Sequence, residues 1–210
     1  MKYKYSNCRI LVFAKAPIKG RVKTRLTPTL SQDQALELHC ALVSHQLRKI
    51  RGYHLAPLEL WVTGSPDCGL FTEHCAEEEI YLQSGDDLGQ RMSNAAKSAL
   101  TRSDRIVIVG TDCPSIDKSY LCQALTSLGS ATDVIIGPAL DGGYVLIGLC
   151  NVEESLFTHI DWGSAVVLQD TLEKIKTAGL SYSLLAPLWD VDRPEDLPRL
   201  DNKSLGLSFL

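Results

Sequence analysis

Short apolar runs alternate along the chain with stretches in which apolar residues recur at helical spacing. Residues 9–14 (RILVFA) form a β-branched run that predicts a first buried strand. Similar runs at 58–63, 133–137, 144–149 and 181–185, and a weaker one at 79–83, predict further strands, and RIVIVG at 105–110 is the clearest. Between them, Ser31 followed three residues on by Gln34 reads as a capping box. It opens a helix whose apolar face is Ala35, Leu36, Leu38, Ala41 and Leu42. Helices are also expected over 88–100, from the cap Asp117 to about residue 128, over 164–178 with Gly179 as the stop, and briefly over 194–200. Strands alternating with helices predict one Rossmann-like α/β domain over 1–210. Its mostly parallel sheet lies between two helical layers.

Ligands of open α/β sheets bind outside the carboxyl ends of the strands. Five segments fall there: 15–25, 85–91, 111–114, 141–144 and 189–192.

Charge singles out the first of them. The chain of 210 residues carries a net charge of -4, which argues against a general nucleic-acid binder. Residues 1–32 nevertheless hold eight Lys and Arg and no acid, leaving 13 Lys and Arg against 25 Asp and Glu elsewhere. Five of these cations crowd AKAPIKGRVKTRLTP at 14–28: Lys15, Lys19, Arg21, Lys23 and Arg25. With no acid nearby in sequence, a polyphosphate is the expected counter-ion. No GK[ST] follows, so this is not a Walker loop.

Acidic segments complement it. Asp112, in VGTDCPSI just past the 105–110 strand, stands where a hard cation could bridge it to a phosphate. Asp190 and Asp192, in WDVDRPEDL, could face one side of an extended segment. Mg²⁺ or Mn²⁺ held by Asp112 with one of these two is expected, because Mg²⁺ takes few carboxylates plus substrate phosphates. In PALDGGYVLIG, Asp141 could serve as a base or hold sugar hydroxyls, with Gly142, Gly143 and Tyr144 beside the sugar or acceptor. An Asp-Gly hairpin turn explains the same residues equally well. In QSGDDLGQRM, Gly85, Asp86 and Arg91 fit nucleotide contacts, and a capped helix start is the plainer reading.

The five histidines lack metal-binding spacing, and the helix bearing His39 and His45 is expected to lie away from the ligand edge. Trp162 is expected in the core. Seven cysteines without a CxxC pair point to a reducing, cytoplasmic setting rather than a zinc ribbon. No apolar run approaches the roughly 18 residues of a membrane span, so no membrane partner is expected.

Taken in order, FAKAPxxGRVKTRL, GDLGxRM (ending Asp87, Leu88, Gly89, Gln90, Arg91, Met92), GTDCP, GPAxDGGYxLIG, the Phe157, Ile160 and Trp162 cluster, and DVDxPEDL resemble the rSAM/selenodomain-associated glycosyltransferases. That family belongs to the nucleotide-diphospho-sugar transferase superfamily. The resemblance implies a GT-A fold with a seven-stranded mixed sheet, a nucleoside-diphosphate ligand and a divalent metal near Asp112. It further implies glycosyl transfer from a nucleotide sugar to a small-molecule acceptor. The chain departs from the family at Lys19, where proline is commoner, and at Gly163, Ser164 and Ala165, where Ser-Thr is usual. The KTRL run also resembles the loop of 2-phospholactate guanylyltransferases. A basic loop there stabilises departing pyrophosphate, which keeps nucleotidyl transfer from a nucleoside triphosphate as the alternative. A non-catalytic nucleotide binder is a third reading.

Overall fold

A computed structural model describes residues 2–129 and 131–209. Seven strands form one sheet: β1 Cys8–Lys15, β2 Leu58–Thr63, β3 Ile80–Leu82, β4 Arg105–Gly110, β5 Val134–Pro138, β6 Tyr144–Leu149 and β7 Tyr182–Leu184. The main helices are α1 Gln32–Tyr53, α2 Gly69–Thr72, α3 Leu88–Leu100, α4 Lys118–Ser127, α5 Val167–Thr177 and α6 Asn202–Leu205. The strand order is β3-β2-β1-β4-β6-β5-β7. Among the described residues only β6 runs against its neighbours, β4 and β5. The expected mixed, mostly parallel sheet is therefore present.

Alternation along each strand splits the core into two layers. Ile10, Val12, Val107 and Val109 pack with Val43, Leu47 and Ile50 of α1 and with Leu121 and Leu125 of α4. Leu11, Ile106 and Ile108 point the other way, onto Met92, Ala95, Ala96 and Ala99 of α3 and Ile175 of α5. Period-two burial on both faces is what covering helices require of a central strand.

A third, smaller cluster matters most for the ligand edge. Leu26, just past the basic loop, packs with Leu38 and Leu42 of α1 and with Val191, Leu197 and Leu205 near the chain's end. Sequence-distant loops are thereby clamped together.

Two expectations shift. Helix α5 starts at Val167 rather than 164, because Gly163 turns at φ +91 and the Leu168 N–H bonds the Gly142 carbonyl at 2.9 Å. The segment at 194–200 is a 3-10 helix, Pro194–Arg199, with Pro198 inside it lacking the N–H an α-helix needs. The sequence pattern marks neither α2 nor α6. The Ser31 and Gln34 capping box of α1 is present as expected.

Candidate functional site

The chain leaves β1 through a tight loop. Ala16 N–H bonds Thr63 O, Arg21 N–H bonds Ile18 O, and Gly20 turns at φ +74. Lys23 itself is left-handed, at φ 50 and ψ 35. A Lys in that conformation costs about 1–2 kcal/mol, so tertiary contacts must impose it. They are visible. A 3-10 turn at Thr24–Leu26 drops Leu26 into the third cluster, and Lys23 turns inward with its side chain only 5% exposed. Its Nζ lies 2.7 Å from Asp112 Oδ1 and donates to Val191 O at 2.6 Å.

The basic loop is consequently not as free of counter-ions as its sequence suggests. Lys19 pairs with Asp33 at 2.7 Å, Lys23 with Asp112, and Arg25 with Asp192 at 2.6 Å. The partners lie at least 14 residues away in sequence, and folding brings them in. Among the described residues only Lys15 and Arg21 of the five loop cations form no ion pair.

The acids come from two strand ends joined by one bond. Asp112 follows β4, and its carbonyl accepts the Val191 N–H at 2.8 Å, which draws Asp190 and Asp192 alongside it. The Asp112 carboxylate sits on a cleft floor, half open to the cleft but enclosed by protein beyond it. Burial alone would raise its pKa, and the Lys23 ammonium outweighs that and holds it below the usual value. Asp190 behaves oppositely. Burial, reinforced by Asp141, Asp112 and Asp192, raises it to about 6. Among the described residues no three His, Cys, Asp or Glu side chains form a ready metal cage. Of the three cleft carboxylates, Asp112 is paired with Lys23 and Asp192 with Arg25, and among the described residues Asp190 forms no ion pair. Their chemistry fits a hard divalent ion that completes its shell with phosphate and water. The charge crowding on Asp190 is what such an ion would relieve.

These groups line one cleft of about 590 Å³ above the carboxyl ends of the parallel strands. Lys15, Arg21, Lys23, Arg25, Arg91, Asp112, Asp190, Asp192 and Tyr144 reach it. Gly85, Asp86, Asp141, Gly142 and Gly143 do not line it. Gly85 acts indirectly, its carbonyl accepting Arg91 Nε at 3.0 Å and so aiming the guanidinium. Asp86 and Asp87 mainly build the start of α3: Asp86 N–H donates to Gln90 Oε1, and Asp87 accepts from Gln90 N–H. Asp141 is exposed and caps its own turn, accepting Gly143 N–H at 2.9 Å within the β5–β6 hairpin. The hairpin reading of this segment is thus realised, and Asp141 still acts through space on Asp190 and Arg25. Gly142, at φ +94, lies against Ala165; a Cβ there would come 2.1 Å from the Ala165 carbonyl.

The sequence missed three cleft residues. His39, expected to lie elsewhere, lines the cleft and donates from Nε2 to Lys15 O at 2.9 Å, and burial lowers its pKa. No spacing rule marks a lone His whose partner is a main-chain carbonyl. Gln83 gives its amide N–H₂ to Trp61 O and Ala14 O, tying β3 to the ends of β1 and β2. Trp162, expected in the core, is half-buried beside the cleft and packs over Gly89, where a Cβ would fall 2.7 Å from its ring. Glycine in the DLG stretch could have signalled that close approach.

The fold and cleft have counterparts among known proteins. A crystal structure from Desulfovibrio desulfuricans G20, of a protein provisionally assigned as a nucleotide-diphospho-sugar transferase, shares 34% identity over 94% of this chain and 88% of its own, with a TM-score of 0.82. More distant structures share the fold alone. Rv0371C from Mycobacterium tuberculosis H37Rv in complex with manganese matches at 17% identity and TM-score 0.57, covering 93% of this chain and 98% of its own. The inositol-1-phosphate CTP transferase of T. maritima matches at 14% and 0.60, covering 98% and 96%. No curated protein matches. The family model described as "Uncharacterized protein conserved in bacteria (DUF2064)" matches residues 46–164. With more than half of its length matched by that model, the chain belongs to the DUF2064 family.

Proposed function

We propose that this protein is a metal-assisted transferase that grips a nucleotide by its phosphates and passes a sugar from a nucleotide-diphospho-sugar to a small-molecule acceptor. The observation that carries the reading is the cleft floor. There a buried Lys, a carboxylate pair and the unpaired cations Lys15 and Arg21 meet outside the strand ends. Arg21, Lys15 and Arg91 bind phosphate oxygens, and His39 holds the Lys15 main chain in place. Asp112 and Asp190 would hold Mg²⁺ or Mn²⁺, which neutralises the charge developing on the leaving phosphate. Tyr144 and the hairpin at 139–143 border the side where the acceptor enters. The 34% identical relative supports the nucleotide-sugar assignment, and the motif order supports placement with the rSAM-associated branch.

One observation favours nucleotidyl transfer as a second reading. Five cations line the cleft against three carboxylates, so with a divalent ion the site carries a surplus suited to a triphosphate. Product analysis decides between them. The protein with Mn²⁺ is offered nucleotide sugars and nucleoside triphosphates, each with a panel of hydroxyl and phosphate acceptors. Release of nucleoside diphosphate from a nucleotide sugar supports glycosyl transfer, and pyrophosphate release supports nucleotidyl transfer. Binding of either ligand without any product would sink both transferase readings.

A further inference from the structure

Lys23 occupies a place that suits a cation of a different kind. Its ammonium touches one oxygen of Asp112 and the main-chain carbonyl of Val191, at 2.7 and 2.6 Å. A carboxylate and a carbonyl are hard oxygen donors of the type Mg²⁺ and Mn²⁺ select. The ammonium is held there by a left-handed backbone at Lys23 and by the burial of neighbouring Leu26 against Val191. Lys23 is also part of the loop whose Lys15 and Arg21 lack carboxylate partners, and its long stem lets the ammonium swing without moving the loop. We infer that Lys23 is a built-in counter-cation that holds Asp112 and must yield it for a divalent ion to bind. The inference rests on the metal reading of Asp112 given above.

The physical consequence is ordered loading. Three carboxylates line the cleft; the ion takes Asp112 and Asp190 and Arg25 holds Asp192, so an ion arriving alone displaces an ammonium with no carboxylate left to meet. When a polyphosphate arrives, its oxygens give the ammonium a new partner, and Asp112 is released to the metal. Metal and polyphosphate therefore strengthen each other's binding, and by linkage the effect is reciprocal. Lys23 is a positioning residue in this scheme, acting on the metal through Asp112.

Binding of Mn²⁺ alone to the full chain, followed by calorimetry, tests this without reference to turnover. Lys23→Met keeps the stem and removes the charge. It should bind Mn²⁺ about tenfold more tightly than the parent, within the usual range of coupling between sites. Arg25→Met removes one positive charge from the same cleft but leaves the Lys23 contact, and should gain much less. Thermal unfolding without metal checks that each variant is folded, and Lys23→Gln stands in if the methionine variant is not. In the parent, Mn²⁺ with inorganic pyrophosphate should raise the melting temperature beyond the sum of the two separate shifts, and in Lys23→Met the excess should shrink to the part that direct metal–phosphate contact supplies. Equal Mn²⁺ affinity in parent and Lys23→Met, or equal gains in Lys23→Met and Arg25→Met, would overturn the gate and leave the metal site standing. No Mn²⁺ binding to any variant, with or without pyrophosphate, would overturn the metal reading itself and the gate with it.

Discussion

Asp112 illustrates how much a single residue's meaning depends on its surroundings. Its position after an apolar strand was legible in the sequence, and so was its suitability for a cation. Its partner was not, because Lys23 lies 89 positions earlier and no local rule couples them. The structure adds an expected cost. Asp112→Asn leaves the nearly buried Lys23 ammonium facing a neutral amide, which should destabilise the fold by about 1–3 kcal/mol. In a double-mutant cycle by denaturant unfolding, adding Lys23→Met should recover part of that loss. Purely additive effects would mean that the pair contributes nothing. Asp190 carries the opposite sign. Its raised pKa means the fold prefers the protonated acid, so this contribution is full below the unfolded value near 4 and is lost as pH rises through about 6. Asp190→Asn, always neutral, should therefore melt at a higher temperature than the parent near pH 8 and show no gain near pH 4. A parent whose stability is flat across that window would show that Asp190 is not desolvated.

At the scale of elements, the strap between the Glu154–Phe157 turn and α5 is what the sequence pattern described least well. Periodicity placed the helix start at 164, but helical spacing cannot register that a carbonyl from a distant hairpin caps α5. Two glycines mark where the strap is seated. Gly142 faces the Ala165 carbonyl, and Gly89 faces both Trp162 and the Phe157 carbonyl, where a Cβ would lie 2.3 Å away. Gly142→Ala combines this clash with an unfavourable positive φ and should cost about 2–3 kcal/mol in chemical unfolding. Gly89→Ala should push Trp162 out of its seat, visible as a red shift of tryptophan emission, and weaken nucleotide binding. An unchanged emission spectrum would show that Trp162 is not held by that contact. The helix caps at Ser31 with Gln34 and at Asp117, by contrast, were readable, because these residues act within their own first turn.

For the whole molecule, the expectation that the basic loop binds phosphate now narrows to its unpaired members. Arg21→Ala should weaken nucleotide binding by about 1.5–3 kcal/mol, roughly ten- to hundredfold, in calorimetry. Lys15→Ala should act on the same scale, whereas Lys2→Ala and Lys4→Ala, remote from the cleft, should change almost nothing. Rising salt should weaken binding in the parent and do so less in Arg21→Ala. Equal, negligible effects in all four variants would return the loop to the solvent. No helix among the described residues is long and apolar enough to cross a membrane. Strand identities, the two-sided core and the edge on which the cleft opens were determined by the sequence alone, because period-two burial, helix caps and the strand-end rule are local or topological properties. Which cation meets which carboxylate, and that His39 and Trp162 reach the cleft, were decided only by tertiary structure. Those relations join residues far apart in the chain, and packing brings them within reach, as where Leu26 packs with Val191 and the Val191 N–H bonds the Asp112 carbonyl.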